Sequence, residues 1–210
     1  EVTAARDIAL ANATIAIDFT LPEAVPENLA AVVRAGIPWV IGITGLDAAR
    51  NAQIRKASER LPVLVAPNMS LAVNLLFGLA DRAAASLPAD YDVEILEAHH
   101  RHKADAPSGT ALRLGEIVAG SRGGTLAEQA VYGRLGKSDG RGAGTIGFSS
   151  LRGGDIVGEH HVLFAGTGET LELVHRTTDR MTFAYGALAA ARWLVGRPPG
   201  LYGMSDVLGL

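Results

Sequence analysis

The stretch Trp39-Val40-Ile41-Gly42-Ile43-Thr44-Gly45 decides the fold of the first third of the chain, because an apolar, β-branched run ends there in a glycine-bearing turn. Such a run predicts a buried strand. Working outward, Thr14–Asp18 and Val63–Ala66 predict two further strands, and helices are expected from Pro26 to Gly36 and from Asp47 to Glu59. The order β-α-β-α-β predicts parallel strands joined by helical crossovers, as in one half of a doubly wound sheet.

The pattern changes after Met69, where strand candidates follow one another without clear intervening helices. Helices are predicted over Leu71–Ala85, Thr110–Ala119 and Met181–Leu194, and strands over Asp92–Ala98, Ala130–Tyr132, Thr145–Ser149, Ile156–Phe164 and Thr170–His175. Consecutive strands of this kind favour an antiparallel or mixed sheet. We therefore expect an α/β unit followed by an α+β unit.

Composition excludes several classes of protein. The 210 residues include 19 basic and 22 acidic side chains, for a net charge of −3, so there is no electrostatic reason to expect a nucleic acid or an anionic membrane as partner. No apolar stretch approaches the ~18 residues that a membrane span needs. The sequence has no cysteine, which excludes disulfides and thiolate zinc sites and fits a reducing cytoplasm.

The densest group of polar residues is Glu97-Ala98-His99-His100-Arg101-His102-Lys103-Ala104-Asp105-Ala106-Pro107-Ser108-Gly109-Thr110. Three histidines, one arginine and one lysine fall within five residues just after a predicted strand. An anion would relieve their mutual repulsion, and histidine exchanges protons near neutral pH. A helix that starts at Ser108-Gly109-Thr110 adds free N–H groups, so the loop predicts a site for a small carboxylate.

Plainer interpretations of this loop stay open. Each histidine alone could be a solvated surface residue, and Ser108 could be only a helix N-cap. A metal site is disfavoured, because Arg101 and Lys103 would repel a cation, and no metal is expected. The acidic residues form no carboxylate pair, since Glu94 and Glu97 lie on opposite strand faces and Asp105 is isolated.

Two turns follow parallel strands and should emerge at one edge of the first sheet. They are Val40–Gly45 and Val65-Ala66-Pro67-Asn68-Met69-Ser70. Gly42 and Gly45 would allow a flat ligand to approach the backbone closely, and Asn68 offers an amide. Either turn alone could be an ordinary strand–helix connection.

Taken together, these residues resemble the bacterial dihydrodipicolinate reductase family. The segment from Glu97 to Ala111 closely resembles that family's signature, and further blocks follow in family order: Ile17–Thr20, Gly42–Gly45, Ala66–Ser70, Val131–Arg134, Arg152–His160 and Arg180–Ala184. The resemblance implies a hydride transfer from NADH or NADPH to a cyclic imine dicarboxylate in lysine and diaminopimelate biosynthesis. It also implies a homotetramer built through the second sheet.

The resemblance assigns domains and residues as well. It implies a Rossmann-type dinucleotide-binding domain over 1–69 and 181–210, and a mixed-sheet substrate-binding and oligomerisation domain over 70–180. His99 would be the general acid/base and Lys103 the second catalytic residue. The remaining assignments are substrate binding by His100, Gly109 and Thr110, and cofactor binding by Gly42, Ile43, Thr44, Ala66, Pro67, Asn68 and Met69, with Phe19 as a weaker candidate.

Two departures from the family pattern bear on the cofactor. Ile43 stands where the family has threonine, which matters only if a hydroxyl is needed there. The family also opens with a strand, a Gly-x-x-Gly-x-x-Gly turn and a helix that this sequence does not contain. We expect that a preceding segment was omitted, although degradation or lost cofactor binding would also explain it. The alternatives to the reductase are a non-catalytic dicarboxylate-binding relative without dinucleotide binding, and a different Rossmann reductase of amino or imino acids.

Overall fold

Two separate sheets organise the chain. A computed structural model describes residues 3–137 and 140–210, so Glu1, Val2, Ser138 and Asp139 of the predicted domain ranges lie outside the described residues. The chain divides into a first unit, Glu1–Asn74 with Met181–Leu210, and a second unit, Leu75–Arg180.

The helices and strands follow the expected order with small shifts at their ends. In chain order they are α1 (Arg6–Leu10), β1 (Ala16–Asp18), α2 (Val25–Ala35), β2 (Trp39–Ile41), α3 (Ala48–Ser58), β3 (Pro62–Val65), α4 (Leu71–Ser86), β4 (Asp92–His99), α5 (Gly109–Ser121), α6 (Leu126–Gln129), β5 (Ala130–Tyr132), β6 (Ile146–Arg152), β7 (Gly158–Ala165), β8 (Thr170–Thr177), α7 (Met181–Leu194), β9 (Gly200–Tyr202) and α8 (Met204–Leu208).

The first unit is built on a four-stranded parallel sheet in the order β1-β2-β3-β9. Alternate residues of β2 enter different apolar clusters: Trp39 packs with Val32 of α2 and Ile54 of α3, whereas Val40 packs with Ala190 of α7. Helices therefore cover both faces, as the pattern of a doubly wound sheet predicts. The Rossmann-type fold predicted for this unit is confirmed.

Local signals fix the ends of the helices in this unit. The side chain of Asp47 caps α3 by accepting a hydrogen bond from the backbone N–H of Arg50 at 2.7 Å. Gly36 ends α2 in the left-handed conformation, with φ of 65°. Both positions are those that a capping aspartate and a C-terminal glycine predict.

The second unit is built on a five-stranded mixed sheet in the order β5-β6-β4-β7-β8. Strands β5, β6 and β4 are parallel, and β7 and β8 run antiparallel to β4 and to each other. One face packs against apolar residues of α4 and α5. The predicted mixed sheet is confirmed, and its central strand β4 leads directly into the histidine-rich loop.

Four short elements were not predicted, namely α1, α6, β9 and α8. The stop signal Pro198-Pro199-Gly200 leads into strand β9, which pairs with β3. The N-terminal helix α1 also had no predicted counterpart. Asp92 and Glu94 lie on one face of β4 and Glu97 on the other, where its side chain is buried. No helix in the described part of the chain is long and apolar enough to cross a membrane.

Candidate active site

The histidine-rich loop begins at the end of the central strand of the second unit. His99 is the last residue of β4, and its carbonyl oxygen accepts a hydrogen bond from the N–H of Gly153 at 3.0 Å. The N–H of Arg101 donates to the carbonyl of Gly154 at 3.2 Å. These bonds fasten the start of the loop to the chain after β6, so the backbone that carries the histidines is held on one side.

A buried carboxylate holds the His99 imidazole. Glu97 Oε2 lies 2.5 Å from His99 Nδ1, and the Glu97 side chain is only 1% exposed. Arg152 of β6 binds the same carboxylate with both terminal nitrogens, Nη1 to Oε2 at 2.9 Å and Nη2 to Oε1 at 2.7 Å. A bidentate arginine–carboxylate pair fixes geometry as well as charge. The backbone N–H of Ser108 also donates to Glu97 Oε1, at 3.3 Å.

The surroundings of Glu97 and His99 lower the pKa of both side chains, which favours a charged carboxylate and a neutral imidazole. Burial raises the pKa of Glu97, but hydrogen bonds from Arg152, Ser150 and His99 outweigh it and lower the pKa to about 2. Burial lowers the pKa of His99 below its ordinary value, the Glu97 carboxylate works against that effect, and the charges of Lys103 and Arg152 reinforce it. The carboxylate is therefore ionised at neutral pH beside an imidazole that releases its proton readily.

Space for the imidazole depends on a glycine. A Cβ atom added to Gly158 of β7 would lie 3.1 Å from His99 Nε2. That distance is tighter than ordinary van der Waals contact, so a side chain at this position would press on the ring. Gly158 thus helps to set the position of the nitrogen that faces away from Glu97.

A second buried histidine supports the start of α5. Ser108 is the N-cap of α5, and its Oγ accepts a hydrogen bond from the N–H of Ala111 at 3.2 Å. The same Oγ lies 3.1 Å from Nε2 of His160, which is 4% exposed. The His160 ring meets the His99 ring edge-on at 5.1 Å and lies 6.4 Å from the ring of His175. Burial lowers the pKa of His160 to about 3, and the neighbouring histidines add to that effect.

The structure brings together only part of the predicted substrate site. Gly109 and Thr110 follow the capping Ser108 and form the first turn of α5, the end of the helix that carries a partial positive charge. Lys103 Nζ binds Asp105 Oδ1 at 2.8 Å, and the lysine lowers the pKa of that carboxyl group.

His100 lies in a different setting from His99. It lines an open cavity of about 710 Å³ together with Arg101, His102, Gly154, Asp155, Val157 and Arg180. Among the described residues, this lining includes His100 but not His99, Lys103, Gly109 or Thr110. Arginine and histidine side chains dominate the polar part of the lining, which suits an anion.

The predicted cofactor residues belong to the first unit. The turns after β2 and β3 both leave the sheet at its carboxyl edge, where the N–H of Ala66 donates to the carbonyl of Ile41 at 3.0 Å. Thr44 and Pro67 are exposed, whereas the side chains of Ile43, Ala66 and Met69 are buried in apolar clusters. The Asn68 side chain accepts a hydrogen bond from the N–H of Ser70 at 2.9 Å.

An aromatic ring covers the first glycine of the turn after β2. A Cβ atom at Gly42 would lie 2.3 Å from the Phe19 ring, so the ring rests directly on the glycine backbone. Phe19 is itself about half exposed, at 53%. A flat apolar surface beside exposed backbone at a sheet's carboxyl edge fits a planar ring system of a dinucleotide. Because Ile43 is buried, only its backbone is available to such a ligand.

Reasoning from the sequence missed Glu97, Arg152 and His160 as members of this site. The alternation of side chains along a strand could have indicated Glu97, because Glu97 and His99 lie on the same face of β4 as the apolar Val93 and Ile95. A carboxylate on such a buried face needs a partner. The partner itself lies 55 residues further along the chain. In the described part of the chain, no group of three or more His, Cys, Asp or Glu side chains is arranged to hold a metal ion.

Comparison with known proteins places the chain in a family. Profiles of the "Dihydrodipicolinate reductase, N-terminus" and "Dihydrodipicolinate reductase, C-terminus" match residues 1–69 and 72–208. The 4-hydroxy-tetrahydrodipicolinate reductase of Thiobacillus denitrificans is 56% identical over 209 residues, spanning 100% of this chain and 78% of the relative. That of Pseudomonas fluorescens is 55% identical over 196 residues, spanning 93% and 73%.

A solved structure agrees with the sequence comparisons. The dipicolinate-bound dihydrodipicolinate reductase from Paenisporosarcina sp. TG-14 superposes with a TM-score of 0.78 at 28% identity, covering 95% of this chain and 75% of that one. Fold and site thus define a Rossmann-type α/β oxidoreductase whose family membership implies a nicotinamide dinucleotide cofactor. The chain belongs to the dihydrodipicolinate reductase family, and the predicted resemblance is confirmed.

Proposed function

We propose that this protein transfers a hydride from NADH or NADPH to dihydrodipicolinate, or to 4-hydroxy-tetrahydrodipicolinate with loss of its hydroxyl group as water, and so produces tetrahydrodipicolinate for lysine and diaminopimelate synthesis. The observation that carries the proposal is the loop between β4 and α5. It joins a carboxylate-held histidine, a lysine and a capped helix N-terminus within twelve residues. The names of relatives that are more than half identical over nearly the whole chain support the same reaction.

Substrate binding is assigned to the cationic side of this loop and to the start of α5. A cyclic dicarboxylate carries two negative charges, which suit the partial positive charge of a helix N-terminus. We assign one carboxylate to the backbone at Gly109 and Thr110, and place His100 among the groups that bind the other. The dipicolinate bound by the Paenisporosarcina reductase is a ligand of this chemical class.

Proton transfer is assigned to His99, with Lys103 as its catalytic neighbour. When a bound nicotinamide supplies the hydride, the reduced substrate must take up a proton. Because Glu97 engages Nδ1, Nε2 is the nitrogen with which His99 can donate that proton. Lys103 would hold the developing negative charge or donate a proton of its own, and Asp105 orients its ammonium group.

The cofactor is assigned to the carboxyl edge of the first sheet. Gly42, Thr44, Pro67 and Asn68 would contact it directly, whereas Ile43, Ala66 and Met69 would contribute backbone, because their side chains are buried. The Phe19 ring would pack against one of its planar groups. We propose NADH or NADPH as the hydride donor.

A homotetramer is part of the proposal. The face of the second sheet opposite α4 and α5 exposes apolar side chains on β4, β6 and β8, namely Leu96, Leu151 and Val174. Exposed apolar sheet faces of this kind mark protein–protein interfaces. We place the protein in the cytoplasm, which agrees with a sequence that contains no cysteine.

The proposed function is tested by following NADH and NADPH oxidation at 340 nm, with the substrate generated in the cuvette by condensing pyruvate with aspartate semialdehyde. Turnover with either cofactor is expected. If the protein bound pyridine-2,6-dicarboxylate in calorimetry yet neither cofactor supported turnover, a non-catalytic dicarboxylate-binding role would replace the proposal.

A further inference from the structure

We propose that Glu97 and Arg152 form a positioning pair that fixes the protonation state and orientation of His99. The inference deepens the proposed function, because it concerns how the general acid of that reaction is prepared. Neither residue is assigned contact with the substrate. Both act through the imidazole and through the loop that carries it.

The contact between Glu97 and His99 selects one tautomer. An ionised carboxylate only accepts hydrogen bonds, and it lies 2.5 Å from Nδ1. The N–H of a neutral His99 must therefore lie on Nδ1, and Nε2 is the nitrogen that gains and loses the catalytic proton. A carboxylate that orients a catalytic histidine in this way is known from serine proteases, where the amide substitution leaves the geometry but lowers kcat about 10⁴-fold.

Arg152 is needed because the Glu97 carboxylate is buried. A carboxylate with 1% exposed side chain would otherwise favour its neutral form, and a neutral carboxyl group could donate to Nδ1 and reverse the tautomer. The two hydrogen bonds from Arg152 keep it ionised and fix the plane of its oxygens. The third bond, from the N–H of Ser108, ties the same carboxylate to the start of α5, so a single group aligns the proton donor and the carboxylate-binding backbone.

Other charged groups around His99 do not replace this role. Lys103, on the following loop, and Arg152, on β6, both disfavour the imidazolium, whereas His160 on β7, whose ring centre is 5.1 Å away, is kept neutral by burial. Against these two cations, the Glu97 carboxylate favours the protonated form of His99. Removing its charge should therefore lower the pKa of His99, which would move the loss of activity at high pH to lower pH.

The same strand supplies a matched control. Glu94 lies on the opposite face of β4 and is also held by arginines, with Arg134 bidentate at 3.0 and 2.9 Å and Arg141 at 3.1 Å. Glu94→Gln removes an arginine-bound carboxylate from β4 without touching the histidine. Glu97→Gln keeps the size of the side chain and one acceptor oxygen. Its NH₂ group replaces the second oxygen and cannot accept a hydrogen bond from Arg152, Ser108 or His99.

The first test is kinetic. Glu97→Gln should lower kcat by at least about 10²-fold, change the substrate KM by less than about tenfold, and shift the high-pH limb of the kcat profile to lower pH. Glu94→Gln should keep the wild-type pH profile. Arg152→Lys, which keeps the charge without the bidentate geometry, should give an intermediate kcat. Equal effects of Glu94→Gln and Glu97→Gln, or an unshifted profile in Glu97→Gln, would overturn the pair's role.

The second test needs no turnover and so separates this inference from the proposed function. Long-range ¹H–¹⁵N correlation spectra report histidine tautomers, and the His99 signals are assigned by their loss in His99→Gln. The wild type should carry its proton on Nδ1 at high pH, and Glu97→Gln should lose that preference and titrate at lower pH. A wild-type imidazole protonated on Nε2, or one that Glu97→Gln leaves unchanged, contradicts the inference even in an enzyme that turns over.

Discussion

The ion pair between Lys103 and Asp105 indicates what Lys103 does in this loop. Its ammonium group is paired with Asp105, a residue whose side chain is 57% exposed. An exposed ion pair contributes little stability, typically no more than about 1 kcal/mol. The pair is therefore better understood as a way of orienting the lysine than as a structural support.

We predict that Lys103→Gln lowers kcat about 10²-fold, because the charge that stabilises the reduced substrate is lost. Asp105→Asn, which keeps the ammonium group and removes only its partner, should change kcat by less than about fivefold. Steady-state kinetics of both variants at saturating substrate measure the difference. A Lys103→Gln effect confined to KM would make the lysine a binding residue only.

At the scale of elements, the site depends on the junction of β4, β7 and α5. Ser108 caps α5, His160 of β7 holds the capping hydroxyl, and Glu97 of β4 accepts the Ser108 N–H. Helix α5 therefore begins at a point set by two strands as well as by its own sequence. This junction also predicts how stability depends on pH, because His160 is buried in its neutral form.

We predict that His160 makes the native state sensitive to mild acid. Its pKa falls from an ordinary 6.5 to about 3 on folding, so below pH 6.5 the unfolded chain binds a proton that the native chain does not. The free energy of unfolding should then decrease as pH falls, by up to about 1.4 kcal/mol per pH unit for each such histidine. His160→Gln should reduce this slope in urea unfolding between pH 7 and 5.

The control for that measurement is the same substitution at His102, which is exposed. His102→Gln should leave the slope unchanged. Glu97 does not contribute to the slope between pH 7 and 5. Because folding lowers its pKa from 4.5 to about 2, its contribution to the free energy of unfolding is lost only as pH falls through that lower range. Equal slopes in the wild type and His160→Gln would mean that His160 is not held neutral by the fold.

The sequence predicted most elements because their signals are local. The apolar run of β2, the cap at Asp47 and the glycine at Gly36 each act within a few residues. Strand β9 was missed because it has three residues and begins at the glycine of the Pro-Pro-Gly stop, so its sequence carries too little pattern; its pairing with β3 makes it a strand. The histidine loop was found for the same local reason, whereas the Glu97–Arg152 and Ser108–His160 contacts join residues 55 and 52 positions apart.

In the whole molecule, cofactor binding and substrate binding are assigned to different units. The parallel sheet carries the turns assigned to the cofactor, and the mixed sheet carries the loop assigned to the substrate. The outer face of the mixed sheet is left with exposed leucine and valine side chains beside charged ones. A second copy of the chain with the same face would bury them.

We predict a homotetramer that Leu151→Glu disrupts. Leu151 is 56% exposed and lies beside Ala98 of β4 on the outer face. A charge there would have to be buried in the interface without a partner. Light scattering should give about four times the 21.8 kDa chain mass for the wild type and a smaller assembly for Leu151→Glu. Leu188→Glu, a similarly exposed site on α7, should keep the wild-type mass.

Turnover and ligand binding in His99→Gln test whether the histidine-rich loop carries the reaction. We predict that the wild type oxidises NADH or NADPH with the condensation product of pyruvate and aspartate semialdehyde. His99→Gln should lose at least about 10²-fold in kcat while it binds pyridine-2,6-dicarboxylate within tenfold of the wild type. Near-normal turnover in His99→Gln would contradict the account, because the residue around which the buried network is arranged would then have no part in the chemistry.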